Sequence, residues 1–377
     1  MNIIIGSDVV PTHANIHLFN KGEIKSILDN KLINIWNSAD ERIFNLEVPL
    51  SNEKNPIHKQ GPNLIAPTST VKGIKALNPS IITLANNHIL DHGDQGLNTT
   101  QELLDSNNIP YIGAGKNLAV ASKPYILNKN GLKIGIYTCA EHEFTIATEN
   151  TAGANPFDPL ESLDHIADLN KKCDYVIVLY HGGKEHYRYP SPYLQKVCRK
   201  IVEKGADLVI CQHSHCVGSF EEYNNSTIVY GQGNFIFNKR DNEYWNTSLL
   251  IDVQIKHEIN INYIPIFRTK KGVALATENK ADEILNSFYK RSLNITEKGF
   301  IEKEYQKFAK NYLKNYMRKL AGFGKWKSRI DNRIFKGTLS KRAYSEQERL
   351  AIRNYIECES HRELLLEGLK RGNSSER

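Results

Sequence analysis

Five stretches of the chain share one pattern. Each is a short run of aliphatic and β-branched residues that stops at polar, ligand-type side chains. Residues 2–6 run into Ser7-Asp8, and residues 42–50 carry Asn45 and Glu47 among apolar neighbours. Residues 81–85 stop at Asn86-Asn87-His88, with Asp91 three positions on. Residues 174–180 lead into His181-Gly182-Gly183-Lys184-Glu185, and residues 208–211 into Gln212-His213-Ser214-His215. Short apolar runs bounded by turn residues predict buried strands. Alternate residues of an extended segment share a face, so Asn45 projects with Glu47 and His213 with His215. Glu47, set among Phe44, Leu46 and Val48, needs a cation or a basic side chain if it is buried.

Between these runs the pattern turns helical, over residues 22–38, 71–77, 160–170 and 191–204. Another helix follows Asp94, read as its cap, and carries Leu97, Leu103 and Leu104. Alternating strands and helices predict an α/β fold, in which loops at the carboxyl ends of strands hold the ligands. Further strands are expected over 109–115, 132–139, 227–231 and 234–237, with Glu141-His142-Glu143 following the second. Residues 248–255 and 259–267 alternate apolar and polar positions and predict an antiparallel hairpin at a sheet edge. Residues 51–70, rich in Asn, Pro and Gly, read as a loop whose Lys59 faces the site. The pattern beyond residue 275 is helical, with a last helix over 345–370 and a disordered final seven residues. The boundary expected is therefore 1–270 for the α/β domain and 271–377 for a helical extension.

Composition narrows the setting. No apolar run reaches the ~20 residues that span a bilayer. The N-terminal run meets Asp8 too early for a signal peptide, so a cytoplasmic protein is expected. The six cysteines form no Cys-x-x-Cys pair and read as reduced packing residues. Charge divides the chain: residues 281–377 hold 22 Lys/Arg against 13 Asp/Glu, and residues 1–280 hold 27 against 29. A basic extension suits a membrane surface, nucleic acid or an acidic polymer, or is a solvated face. Nucleic acid is not expected, because residues 1–280 carry a site of another kind.

That site is a set of mixed nitrogen and oxygen donors at the strand ends: Asp8, Glu47, Asn87-His88, His181 and His213-Ser214-His215. Such donors suit Mn, Fe or Zn. One or two divalent ions are expected, with Glu47 able to bridge a pair. Paired metals activate water and clamp a phosphoryl group.

The order of motifs resembles the CapA family of capsule and poly-γ-glutamate biosynthesis proteins. The matching segments include Phe44-Asn45-Leu46-Glu47, Leu84-Ala85-Asn86-Asn87-His88 with Asp91-His92-Gly93, and Gly113-Ala114-Gly115-Lys116-Asn117. They continue with His181-Gly182-Gly183-Lys184-Glu185, Gly205-Ala206-Asp207, His213-Ser214-His215 and Tyr230-Gly231-Gln232-Gly233-Asn234-Phe235. The resemblance implies a metallophosphatase-like (calcineurin-like phosphoesterase) α/β/β/α sandwich of two sheets flanked by helices, followed by a C-terminal helical extension. It implies that Asp8, Glu47, Asn87, His181, His213 and His215 hold metal. His88 and Glu185 would serve acid–base chemistry, while Asn45, Lys59 and Asn234 would meet the substrate. Val10 departs from ordinary metallophosphatases, whose first motif has a histidine there. The function implied is metal-dependent hydrolysis of a phosphoester or related bond in capsular polysaccharide or poly-γ-glutamate synthesis. The competing class is a non-catalytic accessory subunit of a polymer synthesis or export complex. Expected partners are a capsule or exopolysaccharide precursor or polymer, and a membrane surface met peripherally by the basic extension.

Overall fold

The computed structural model describes residues 1–238, 242–256 and 258–372. The last five of the seven residues expected to be disordered lie outside the described residues. The chain divides into two compact units, Met1–Glu302 and Lys303–Arg377.

The first unit is built on strands that appear in this order. β1 (Asn2–Val9), β2 (Glu41–Leu46), β3 (Ile81–Thr83) and β4 (Tyr111–Ile112) come first. β5 (Ala114–Gly115), β6 (Tyr125–Lys129), β7 (Leu132–Ala140) and β8 (Gly153–Ala154) follow. Next are β9 (Tyr175–His181), β10 (Leu208–Gln212), β11 (Phe220–Tyr223) and β12 (Ser226–Val229). The run closes with β13 (Asn234–Ile236), β14 (Thr247–Ile255), β15 (Ile259–Arg268) and β16 (Val273–Leu275).

One sheet has the order β16-β15-β14-β1-β2-β3-β4, with β13 pairing the far end of β1. The second has the order β11-β12-β10-β9-β7-β6. β1, β2, β3 and β4 run parallel, as do β7, β9, β10 and β12. The antiparallel hairpin predicted over 248–267 is present as β14 and β15, which pair from Thr247↔Phe267 to Ile255↔Ile259.

Side-chain alternation sets the layers. Ile3, Ile5, Ile43 and Ile81 of the first sheet share one buried cluster with Ile134, Ile136, Ile177, Leu179, Leu208 and Ile210 of the second. The intervening residues point the other way. Ile4, Phe44 and Ile82 pack on Leu32, Trp36, Leu97 and Leu104 of helices outside the first sheet. Val176, Val178 and Val209 pack on Ile166, Val197 and Ile201 of helices outside the second. The fold is α/β/β/α, as the resemblance implied, and the two sheets meet through a mainly aliphatic interior. Strands buried on both faces read as unbroken apolar runs, which is why they were visible in the sequence.

Three local expectations are corrected. Residues 22–38 are a short 3₁₀ turn (Ile24–Ser26) and a helix (Asn30–Ser38), separated where the Asp29 side chain accepts the Leu32 N–H and caps the helix. Asp94 is not a cap: the helix Gly93–Ser106 begins one residue earlier, after His92, and Asp94 lies in its first turn. The last helix is two, Glu346–Glu357 and Glu359–Gly372, broken by the extended backbone of Cys358. Ser345 and Glu348 form a reciprocal capping box at the start of the first, a signature legible in the sequence.

The first unit also extends past the residue-270 boundary read from the sequence. The helix Glu278–Asn294 buries Phe288 against Phe220 of β11 and Tyr263 of β15, with ring centroids 5.1 and 4.8 Å apart. The second unit holds the helices Lys325–Arg333, Thr338–Arg342, Glu346–Glu357 and Glu359–Gly372 and most of Phe300–Leu320.

Candidate metal centre

Because the core strands run parallel in each sheet, their carboxyl ends come out on one edge. Asp8 lies beside Asn45 and Asn234 in the register of the first sheet, and His181 beside Gln212 in the second. Asp8, Glu47, Asn87, His181, His213 and His215 come together there, all of them buried. One ligand atom each from Glu47, His181 and His213 lie within 4.8 Å of one another, and so do those of Asp8, Glu47 and His215. Glu47 belongs to both triads. Asn87 joins the first, with its Oδ1 3.1 Å from His181 Nε2.

Hydrogen bonds behind this set aim it. Asn86 donates to Asn45 Oδ1 over 3.0 Å and to the Leu46 carbonyl over 2.9 Å. Asn45 then donates to Asp8 Oδ1 over 2.8 Å. The Asn87 amide donates to Glu143 over 3.0 Å, which turns its oxygen toward the histidines. His215 Nδ1 lies 2.8 Å from Asn234 Oδ1. Metal-ligating side chains depend on such outer partners for their orientation.

The loop carrying His213 and His215 is strained. Both residues have left-handed backbone, at φ 83° and 53°. Such conformations cost on the order of 1–3 kcal/mol each and persist only where the surroundings enforce them. Here His186 N–H donates to the Ser214 carbonyl over 2.8 Å, and Gly218 N–H to the Gly231 carbonyl over 2.9 Å. Gly231 must lack a side chain, since a Cβ would stand 2.8 Å from both the Cys216 carbonyl and Ser214 Oγ. The His215 ring is wedged between Trp245 (4.5 Å) and Phe237 (5.7 Å). Trp245 Nε1–H donates in turn to His186 Nε2 over 2.8 Å.

The electrostatics call for a cation. Burial works against charge on His215, yet Glu47 and Asp8 outweigh it and raise its imidazole to about 9. His181 is also raised: burial opposes its charge, and Glu47 and Asp8 overcome that. His213 goes the other way, held well below the ordinary range by burial and then by its neighbours His181 and His215. Burial raises the Asp8 carboxyl, but the His215 and His181 imidazoles prevail and hold it low. Both oxygens of Glu47 and Oδ2 of Asp8 are buried and accept no hydrogen bond among the described residues. The nearest positive atoms are His181 Nε2, 3.3 Å from Glu47, and His215 Nδ1, 3.5 Å from Asp8. Buried carboxylate oxygens left unpaired are costly, and a divalent ion would satisfy all three. The residues present therefore fit the group that the donor set implies.

A second cluster flanks the first. His88 Nδ1 lies 2.5 Å from Asp91 Oδ2, and Asp91 also accepts the Leu64 N–H and pairs closely with Lys59. Lys59 further donates to the Asn87 carbonyl over 3.2 Å. Asp91 thus fixes the imidazole by one nitrogen and leaves Nε2 without a hydrogen bond among the described residues. Glu185 is half-buried beyond His181 and near enough to His215 to favour its protonated form. Asn45 is fully buried behind Asp8, Lys59 is turned onto Asp91, and Asn234 touches His215.

Sequence reasoning did not single out Phe237, Trp245 or His186. Their part in holding His215 depends on folding across the sheets and has no local pattern. Glu143 was visible as an ionisable group after a strand end, but its partner Asn87 was not.

Comparison with known proteins gives the family. Residues 3–239 match the family model described as bacterial capsule synthesis protein PGA_cap. The PGA biosynthesis protein CapA of Bacillus subtilis is 31% identical over 211 residues, 54% of this chain and 55% of that protein. The capsule biosynthesis protein CapA of Bacillus anthracis is 31% identical over 204 residues, 52% of this chain and 50% of that protein. The chain thus matches about half the length of these relatives. Among solved structures, a hypothetical protein from Thermus thermophilus aligns at a TM-score of 0.47 and 14% identity, over 71% of this chain and all of that one. A putative 5'-nucleotidase from Staphylococcus aureus aligns at 0.43 and 12%, over 76% of this chain and 57% of that one. These structural likenesses are loose, so the assignment stands on the sequence match, which spans every candidate ligand gathered at the strand ends. The chain belongs to the family of bacterial capsule synthesis proteins that this model describes.

Proposed function

We propose that this chain is a metal-dependent hydrolase that cleaves a phosphoester or related bond during synthesis of a capsular polymer. The observation that carries the proposal is Glu47: a fully buried carboxylate whose two oxygens accept no hydrogen bond among the described residues, shared by two histidine-containing triads. Asp8, Glu47, Asn87, His181, His213 and His215 would hold one or two ions of Mn, Fe or Zn. The ions would supply positive charge for a phosphoryl oxygen and a water of lowered pKa.

The chain's own residues supply the rest. Asp91 holds His88 by Nδ1, so Nε2 can give a proton to the leaving oxygen or stabilise its charge. Lys59 neutralises Asp91 and orients the Asn87 backbone beside His88. Glu185, on the loop after His181, is the second acid–base group. Asn45 and Asn234 set Asp8 and His215 from behind. The substrate class is a precursor or polymer of the capsule, in keeping with the names of the relatives.

The test is metal analysis of the purified chain followed by an assay on an aryl phosphodiester. The expected result is one or two tightly held ions and a turnover that chelation abolishes and Mn, Fe or Zn restores. A chain that retains none of these ions at stoichiometric level overturns the proposal. A metal-loaded chain inert toward phosphomonoesters and phosphodiesters alike overturns the hydrolase and leaves the accessory subunit.

A further inference from the structure

The second unit is built with its polarity reversed. Arg318 and Asp331 are 3% and 0% exposed and pair through Nε and Oδ2 over 2.9 Å, joining the helices Phe300–Leu320 and Lys325–Arg333. Arg318 also donates to Asn332, and Asp331 accepts the Leu339 N–H over 3.1 Å. A stripe of apolar side chains on each helix lies outside. Leu313, Tyr316 and Leu320 are 54%, 52% and 57% exposed, and Trp326, Ile330 and Ile334 are 75%, 44% and 68% exposed. Their spacings, 313-316-320 and 326-330-334, each trace one helical stripe. At about 100° per residue, Arg318 falls on the side of its helix opposite the first stripe. A buried ion pair on helices that also expose apolar stripes is the reverse of ordinary packing, and grouped exposed apolar side chains mark an interaction site.

The charge around these stripes selects the occupant. Residues 303–345 hold 13 Lys/Arg against two Asp/Glu, and one of the two acids is Asp331, already neutralised by Arg318. A second copy of the chain would bring the same positive charge. A soluble polyanion would satisfy the cations but leave Trp326, Ile330 and Ile334 in water. An anionic lipid surface satisfies both, with apolar side chains at the acyl boundary and Lys and Arg among the headgroups. Among the described residues no helix is long and apolar enough to cross a membrane, so the contact would be made on the surface.

We propose that the exposed stripe through Trp326, Ile330 and Ile334 docks on an anionic membrane surface, with the stripe through Leu313, Tyr316 and Leu320 as a second apolar contact. This goes beyond the hydrolase and is independent of it, since no ligand of the metal centre takes part.

The chain carries its own probe. Of its three tryptophans, Trp36 and Trp245 are 1% and 5% exposed, so an emission shift on adding vesicles reports Trp326. The experiment titrates the full chain with vesicles of phosphatidylcholine alone or mixed with phosphatidylglycerol, following emission and co-sedimentation. Binding and a blue shift are expected with the anionic vesicles only, weakening as salt rises. Trp326→Phe should abolish the shift and keep sedimentation. The triple variant Trp326→Ser/Ile330→Ser/Ile334→Ser should weaken sedimentation by on the order of tenfold or more at low salt. Circular dichroism of each variant verifies that the helices remain. Three results would overturn the proposal. One is no binding to anionic vesicles at low salt. Another is binding that the triple variant leaves intact and soluble poly-glutamate competes away, which assigns the face to a polyanion. The third is a dimer of the parent chain that the triple variant abolishes, which assigns it to self-association.

Discussion

The Asn45 side-chain amide donates to Asp8 Oδ1 over 2.8 Å, and its oxygen accepts from Asn86 over 3.0 Å. One asparagine thus couples the ends of β1 and β2 with the loop after β3, and it does so without reaching the surface. Asn45→Ala removes the hydrogen bond that aims Asp8 from behind. Metal affinity should fall on the order of 10–100-fold, the usual effect of losing an outer-shell partner. Isothermal titration of the metal-free chain with Mn or Zn measures it. Affinity within twofold of the parent would show that Asp8 is aimed by its backbone alone.

Metal removal should make stability depend on pH in a definite direction. Without metal, His215 titrates at about 9 in the folded chain, against 6.5 ordinarily, and His181 is displaced the same way. A group raised on folding stabilises fully below its unfolded pKa, and the benefit is lost as pH rises through the folded value. The metal-free chain should therefore melt at progressively lower temperature between pH 6.5 and about 9. With saturating metal the imidazoles are held neutral, and the same window should show no such decline. Melting curves with chelator and with metal, taken side by side, decide this. Parallel declines would separate these histidines from metal binding.

His88 and His213 should fail differently. His88→Ala removes a group held by Asp91 outside both triads. It should keep metal content and lose turnover by on the order of 10²–10⁴-fold. His213→Ala should lose metal and activity together, because His213 completes a triad with Glu47 and His181. Metal analysis and an assay on both variants distinguish them. A His88→Ala chain with unchanged turnover and a lowered melting temperature would make His88 a structural side chain.

Arg318 tests the second unit. Arg318→Ala would leave Asp331 fully buried, its carboxylate retaining the Leu339 N–H as donor. Breaking a buried pair by deleting one partner costs about 3–5 kcal/mol. Hydrogen exchange should quicken across the helices Lys325–Arg333 and Thr338–Arg342 while the strands β1, β9 and β10 keep their protection. Unchanged exchange in those two helices would show that the pair contributes little.

The strands of this protein were legible because they are short, apolar and bounded by polar residues, and their ligand-type ends were legible with them. Asp8, Glu47, Asn87, His88, His181, His213 and His215 could each be named from their position at such a run. The local pattern also specified the hairpin of β14 and β15, through its strict alternation. What it could not specify was pairing across the two sheets. His181 meets Glu47 only because the Ile3-to-Ile210 interior stacks one sheet on the other with their parallel strands ending at the same edge. That contact spans 134 residues, and nothing in the periodicity of either segment encodes it. The same holds for Trp245 and Phe237 against His215, and for the left-handed backbone at His213 and His215, which neighbouring backbone imposes. Arg318 and Asp331 gave no sign of burial, since a charged residue on an amphipathic helix reads as solvent-facing. Local sequence selects secondary structure through backbone and side-chain preferences of near neighbours. Register, burial and the meeting of distant side chains are set by packing, and only the tertiary structure carries that.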